Sequence, residues 1–164
     1  MKEGGTRRAS AYSRGANMSF ETIVVGADFS EIGRAALEWA IELARPLKSR
    51  IVLAHVYDLP IVGFPDASFI VDAQTASRMS DDAQKGLDAE VARFRDCGVP
   101  VEGSLQQGDA RDELPALAVS LGAWLLVVGS HGRRGVARAL LGSVAETIVR
   151  ASTVPVAVIR AKTH

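Results

Sequence analysis

Four short runs of apolar, mostly β-branched residues constrain this chain more than any other feature: Ile23-Val24-Val25, Ile51-Val52-Leu53-Ala54, Trp124-Leu125-Leu126-Val127-Val128 and Val156-Ala157-Val158-Ile159. None alternates with polar residues, so each suits a strand covered on both faces, as in a parallel sheet between helical layers. Val99–Leu105 is a weaker, alternating fifth run. Helical periodicity fills the intervals. Ser30 can cap a helix whose stripe is Ile32, Ala36, Trp39, Ala40 and Leu43. Met79, Ala83, Leu87, Val91 and Phe94 mark a second. Asp109 precedes a third with Leu114, Leu117, Ala118 and Leu121, in which Pro115 forces a start near Asp112 or a kink. A fourth runs from about Gly142 to Ala151, with Val144, Ile148 and Ala151 on one side. Strands and helices in alternation, joined by short right-handed crossovers, give an α/β domain: a doubly wound open five-stranded parallel sheet with four helices.

The totals fit one domain. Of 164 residues, 48% are apolar and 23% charged, with 19 basic side chains balancing 19 acidic ones. Lys2, Arg7, Arg8 and Arg14 against Glu3 give residues 1–17 a local charge of +3, so the body is formally −3. Such a body presents no surface suited to nucleic acid. Residues 1–17 lack the apolar stretch of a secretory signal and read as a disordered extension ahead of a domain at 18–164. The longest apolar run, Trp124–Val128, falls far short of the ~20 residues that span a bilayer, so the expected setting is the cytoplasm and not a membrane. Cys97, the only cysteine, excludes an internal disulfide and reads as a half-buried thiol at a helix end. Residues 58–72 form one long connection, either a self-packed surface loop or a lid or partner contact.

In open parallel sheets, ligands sit beyond the carboxyl ends of the strands, where the winding reverses. Two features arrive at such ends. The first strand stops at Gly26-Ala27-Asp28-Phe29-Ser30. The fourth stops at Gly129-Ser130-His131-Gly132, followed by nine residues and then Gly142-Ser143. Glycines there let backbone N–H groups approach a ligand without Cβ interference. Gly142 and Ser143 would open the fourth helix, whose first N–H groups lack intrahelical partners and attract anions. A triphosphate is the expected guest. Walker lysine and Gly-x-Gly-x-x-Gly motifs are both absent from the sequence.

These segments, with Ala54-His55-Val56-Tyr57-Asp58 and Val154-Pro155-Val156-Ala157-Val158, resemble the universal stress protein family across residues 20–160. The family's ATP-binding signature, Gly-x2-Gly-x9-Gly-Ser/Thr, is met by Gly129, Gly132, Gly142 and Ser143. The resemblance implies strand order 3-2-1-4-5, a fold like that of the adenine nucleotide α-hydrolases, and a stress-response regulator that binds ATP, with or without Mg2+, or else AMP or cyclic AMP. It implies that Asp28 holds the ribose or adenine end and that Val56 and Ala27 line the adenine slot. Gly129, Gly132, Gly142, Ser143 and Val144 would hold ribose and phosphates. Related proteins pair through their last strand, which here is the apolar edge Val154–Ile159. The alternatives are a slow ATPase and a dimeric interaction module without nucleotide.

Several residues carry two readings. Asp28 either meets a ligand or helps Ser30 cap the first helix. Arg133, Arg134 and Arg138 are either a solvated basic loop or a phosphate clamp. His131 invites a general-base role, yet no acid in the local sequence orients it. His55 reads as a satisfied core or edge histidine, and Trp39 and Trp124 as core. No His, Cys or Asp cluster has metal-ligand spacing.

Overall fold

A computed structural model describes residues 20–59, 62–64, 67–69, 72–131 and 141–160. In chain order its elements are β1 (Thr22–Ala27), α1 (Glu31–Leu47), β2 (Arg50–Tyr57), β3 (Val62–Phe64), β4 (Ala67–Phe69) and α2 (Ala73–Arg93). There follow β5 (Val101–Gln107), α3 (Ala110–Ser120), β6 (Leu125–Gly129), α4 (Ser143–Ala151) and β7 (Val156–Ile159). The main sheet runs β5-β2-β1-β6-β7 with every neighbouring pair parallel. Numbered among these five strands alone, the order is 3-2-1-4-5, as expected. The chain winds outward from β1 to β5, then returns across β1 to build β6 and β7. The reversal falls between β1 and β6, and a crevice opens there.

Alternate residues of the apolar runs serve opposite faces. Ile23, Val25, Ile51, Leu53, Leu125 and Val127 meet Leu37, Ala40 and Ile41 of α1 and Leu87 of α2. Val24, Val52, Ala54, Leu126 and Val128 meet Leu114 and Ala118 of α3 and Ala145 and Ile148 of α4. Each fully buried Leu, Ile or Val contributes roughly 1.5–3 kcal/mol relative to exposure. The unbroken runs are therefore the signature of a sheet covered on both sides.

The helix starts follow side-chain caps. Ser30 Oγ accepts from Gly33 N–H at 3.0 Å, and Asp109 Oδ1 from Arg111 N–H at 2.9 Å. Asp72 opens α2, and hydrogen bonds from the Thr75 hydroxyl and then its N–H hold the Asp72 carboxyl below its ordinary pKa. Cys97 is half-buried just after α2 and its thiol donates to Val99 O at 3.3 Å.

Two helix stripes need correction, and two open readings gain detail. Trp39 is 41% exposed and outside the core, because α1 buries Gly33, Ala36, Leu37, Ala40, Ile41 and Ala44. The stripe is rotated about one position from the expected one, toward the smaller residues. On α4 the buried positions are Ala145 and Ile148, while Val144 and Ala151 are exposed. Helix α3 starts at Ala110 and contains Pro115 in buried surroundings, which excludes the start near Asp112, one of the two readings for that proline. The long connection contains a two-stranded antiparallel hairpin, β3 with β4. Residues 1–17, Gly132 and Arg133, Arg134 and Arg138 lie outside the described residues.

Candidate functional site

The carboxyl ends of β1, β2 and β6 and the starts of α3 and α4 enclose a cleft of about 710 Å³. Ala27, Asp28, Val56, Gly129, Gly142, Ser143 and Val144 all line it. Residues more than a hundred positions apart thus converge on one space. The floor is apolar, built from Gly26, Ala54, Val128, Leu114, Ala145 and Ile148.

One rim is the β6–α4 junction. Gly142 N–H donates to Ser130 O at 2.8 Å, so the end of β6 and the start of α4 are tied directly together. Gly142 is the N-cap and offers no side-chain bond. The first helical acceptor is Gly142 O, which takes Glu146 N–H at 2.9 Å. Helix geometry leaves the N–H groups of Ser143, Val144 and Ala145 without intrahelical acceptors, and all three residues line the cleft. The partial positive charge of a helix start is therefore directed at this space.

Two of the glycines have a packing reason as well. A methyl group at position 142 would lie 2.9 Å from Ser130 O and 3.5 Å from His131 Cα. One at position 129 would lie 3.0 Å from Ile32 Cγ2 and 3.5 Å from Gly33 N. Their bareness lets backbone pack on backbone and on α1. Gly129 and Gly142 thus help to assemble the cup.

The opposite rim is the β1–α1 turn. Asp28 Oδ1 accepts from Ser30 N–H at 3.0 Å and Ser30 Oγ–H at 2.6 Å, so Asp28 both lines the cleft and braces the α1 cap. Gly33 makes room for it, since a Cβ there would strike Asp28 Oδ1. Phe29 takes φ 61°, a left-handed conformation strained for a bulky residue. Its ring packs on His55 at a centroid distance of 4.3 Å. His55 Nδ1–H donates to Ala27 O at 2.7 Å, which leaves Nε2 as the acceptor nitrogen. His55 is thus a satisfied strand-end histidine that also lines the cleft.

The sequence matches the universal stress protein family over residues 19–160. The chain belongs to that family. A universal stress protein of Methanocaldococcus jannaschii is 28% identical over 143 residues, covering 86% of this chain and 82% of the relative. A second from that organism is 24% identical, covering 89% and 98%. The solved structure of that second protein matches with a TM-score of 0.76 over 89% of this chain and 99% of its own. A universal stress protein solved in complex with cyclic AMP is 27% identical, with a TM-score of 0.62, covering 85% and 97%.

This universal stress protein adds residues to the cleft that its signature motif does not contain. Arg111, the second residue of α3, lines it; the motif gives no hint, because α3 follows a different strand. Ser130 and His131 line it too, with His131 Nδ1 3.2 Å from Ser130 Oγ. Among the described residues, no group of three or more His, Cys, Asp or Glu could hold a metal ion. No helix among them is long and apolar enough to cross a membrane.

Proposed function

We infer that this universal stress protein binds an adenine nucleotide in the strand-end cleft and acts as a nucleotide-responsive regulator. One observation carries the reading: the first three residues of α4 line the same cleft as the apolar ends of β2 and β6. A helix start suits phosphate, and an apolar floor suits a purine. The volume of about 710 Å³ falls within the roughly 300–1,000 Å³ of small-molecule sites. The relative solved with cyclic AMP supports the same ligand class.

ATP is the proposed ligand, with Mg2+ carried on its phosphates; AMP and cyclic AMP are the alternatives. Ala27 and Val56 would line the base slot and Asp28 would face the ribose. Gly129, Gly132, Gly142, Ser143 and Val144 would hold ribose and phosphates, with Arg133 added from the same loop. The nucleotide serves as a signal, with at most weak hydrolysis. The protein would work in the cytoplasm, without nucleic acid, as a homodimer paired along Val154–Ile159. Strand β7 supports that pairing, since it has a parallel neighbour only in β6 and its residues are half-buried. Residues 1–17 would be an extension to the domain at 18–164.

Thermal unfolding with ATP, ADP, AMP and cyclic AMP tests the binding. A ligand at a hundredfold excess over its Kd stabilises by about 2.7 kcal/mol, or roughly 5–10 °C in a domain of this size. No shift with any of the four would sink the assignment.

A further inference from the structure

We propose that Arg111 recognises the base: its guanidinium lies over one face of the purine while the phosphates sit on the start of α4. The inference rests on the nucleotide reading above and adds a residue outside the signature motif. Helix α3 follows β5, and α4 follows β6. In the sheet order β5-β2-β1-β6, those two strand ends stand three spacings apart, about 14 Å at ~4.8 Å per spacing. A nucleotide anchored by phosphate at Ser143 therefore reaches the Arg111 end with its base. The lining there is apolar: Ala54 and Val56 from β2, and Leu114, which shares a face of α3 with Arg111 at i, i+3.

Asp109 holds the arginine in place. Its Oδ1 accepts from Arg111 N–H at 2.9 Å and its Oδ2 from Arg111 Nη1 at 3.3 Å. One carboxylate thus meets both the backbone and the head group, and the Arg111 side chain is still 45% exposed, so part of it is open to a ligand. A flat, weakly hydrated cation suits the face of an aromatic ring, which an ammonium does less well.

Calorimetric titration of wild type, Arg111→Ala and Arg111→Lys with adenosine, AMP and ATP tests this. Base stacking predicts that Arg111→Ala weakens all three by a similar factor, roughly 5- to 30-fold, and that Arg111→Lys recovers only part of it. A loss that grows with phosphate number and is absent for adenosine would make Arg111 a phosphate clamp and overturn the proposal. So would full recovery with lysine, or unchanged affinities in a folded Arg111→Ala protein. If wild type binds none of the three ligands, the nucleotide reading itself fails; if wild type binds and Arg111→Ala is silent, only the base-recognition role does.

Discussion

At the amino-terminal ends of β1 and β6, large side chains close the sheet; at their carboxyl ends small residues leave a cleft. Phe20, just before β1, packs edge to face on Trp124, just before β6, with ring centroids 5.0 Å apart. Ser49 donates its hydroxyl to Phe20 O, and Arg50 Nε donates to Thr22 Oγ1 at 3.1 Å. Thr22 and Ser49 are 3% and 1% exposed. Across the molecule, the corresponding strand ends carry Gly26, Ala27 and Gly129, and a cleft remains. The same sheet is thus closed by side chains at one end and left open at the other, where a helix start lines the cleft. The difference lies in side-chain size and hydrogen bonding, since the backbone architecture is continuous from end to end.

The comparison breaks if substitutions at the two ends act alike. The largest effect is expected at the junction of β6 and α4. In Gly142→Val, the new Cβ would lie 2.9 Å from Ser130 O, a backbone atom that can move only with its strand. We expect nucleotide affinity to fall on the order of a hundredfold, with some loss of stability, in calorimetric and thermal measurements. Ser143→Ala should be milder. It removes one hydroxyl donor to a charged ligand, roughly a tenfold loss of affinity, and leaves melting nearly unchanged because Ser143 is exposed and caps nothing. The smallest effect belongs to the sealed end. Phe20 is 41% exposed, so Phe20→Ala should cost about 1 kcal/mol, below the 3–5 kcal/mol of a buried phenylalanine, and lower the melting temperature by roughly 2–4 °C. Its nucleotide affinity should match wild type. An affinity loss there as large as that of Ser143→Ala would erase the distinction between the two ends.

How far these ends could be read in the sequence depends on what encodes each. The five main strands were legible because burial on both faces demands unbroken apolar runs, and Val156–Ile159 forms β7 with the expected bounds. The β3–β4 hairpin was not, since strands of three residues are too short to show a period, although Pro65-Asp66 between two apolar runs was a turn signal. Trp39 misled because a large apolar residue at helical spacing reads as core, whereas α1 packs closely through alanines and Gly33. In the cleft, the motif located the β6–α4 rim but not the close packing around Gly129 and Gly142, which is visible only in three dimensions. Arg111 escaped notice because its place in the lining of the same cleft as Ala54 and Val56 follows from sheet order and not from any local pattern.

The central claim is that phosphate meets the first turn of α4. Amide chemical shifts of nitrogen-15-labelled protein during titration with AMP address it most directly. The account predicts that the Ser143, Val144 and Ala145 N–H signals move furthest and saturate with the ligand, while those of Thr22, Ser49 and Arg50 stay still. Saturable binding that leaves the three α4 amides unmoved would contradict it.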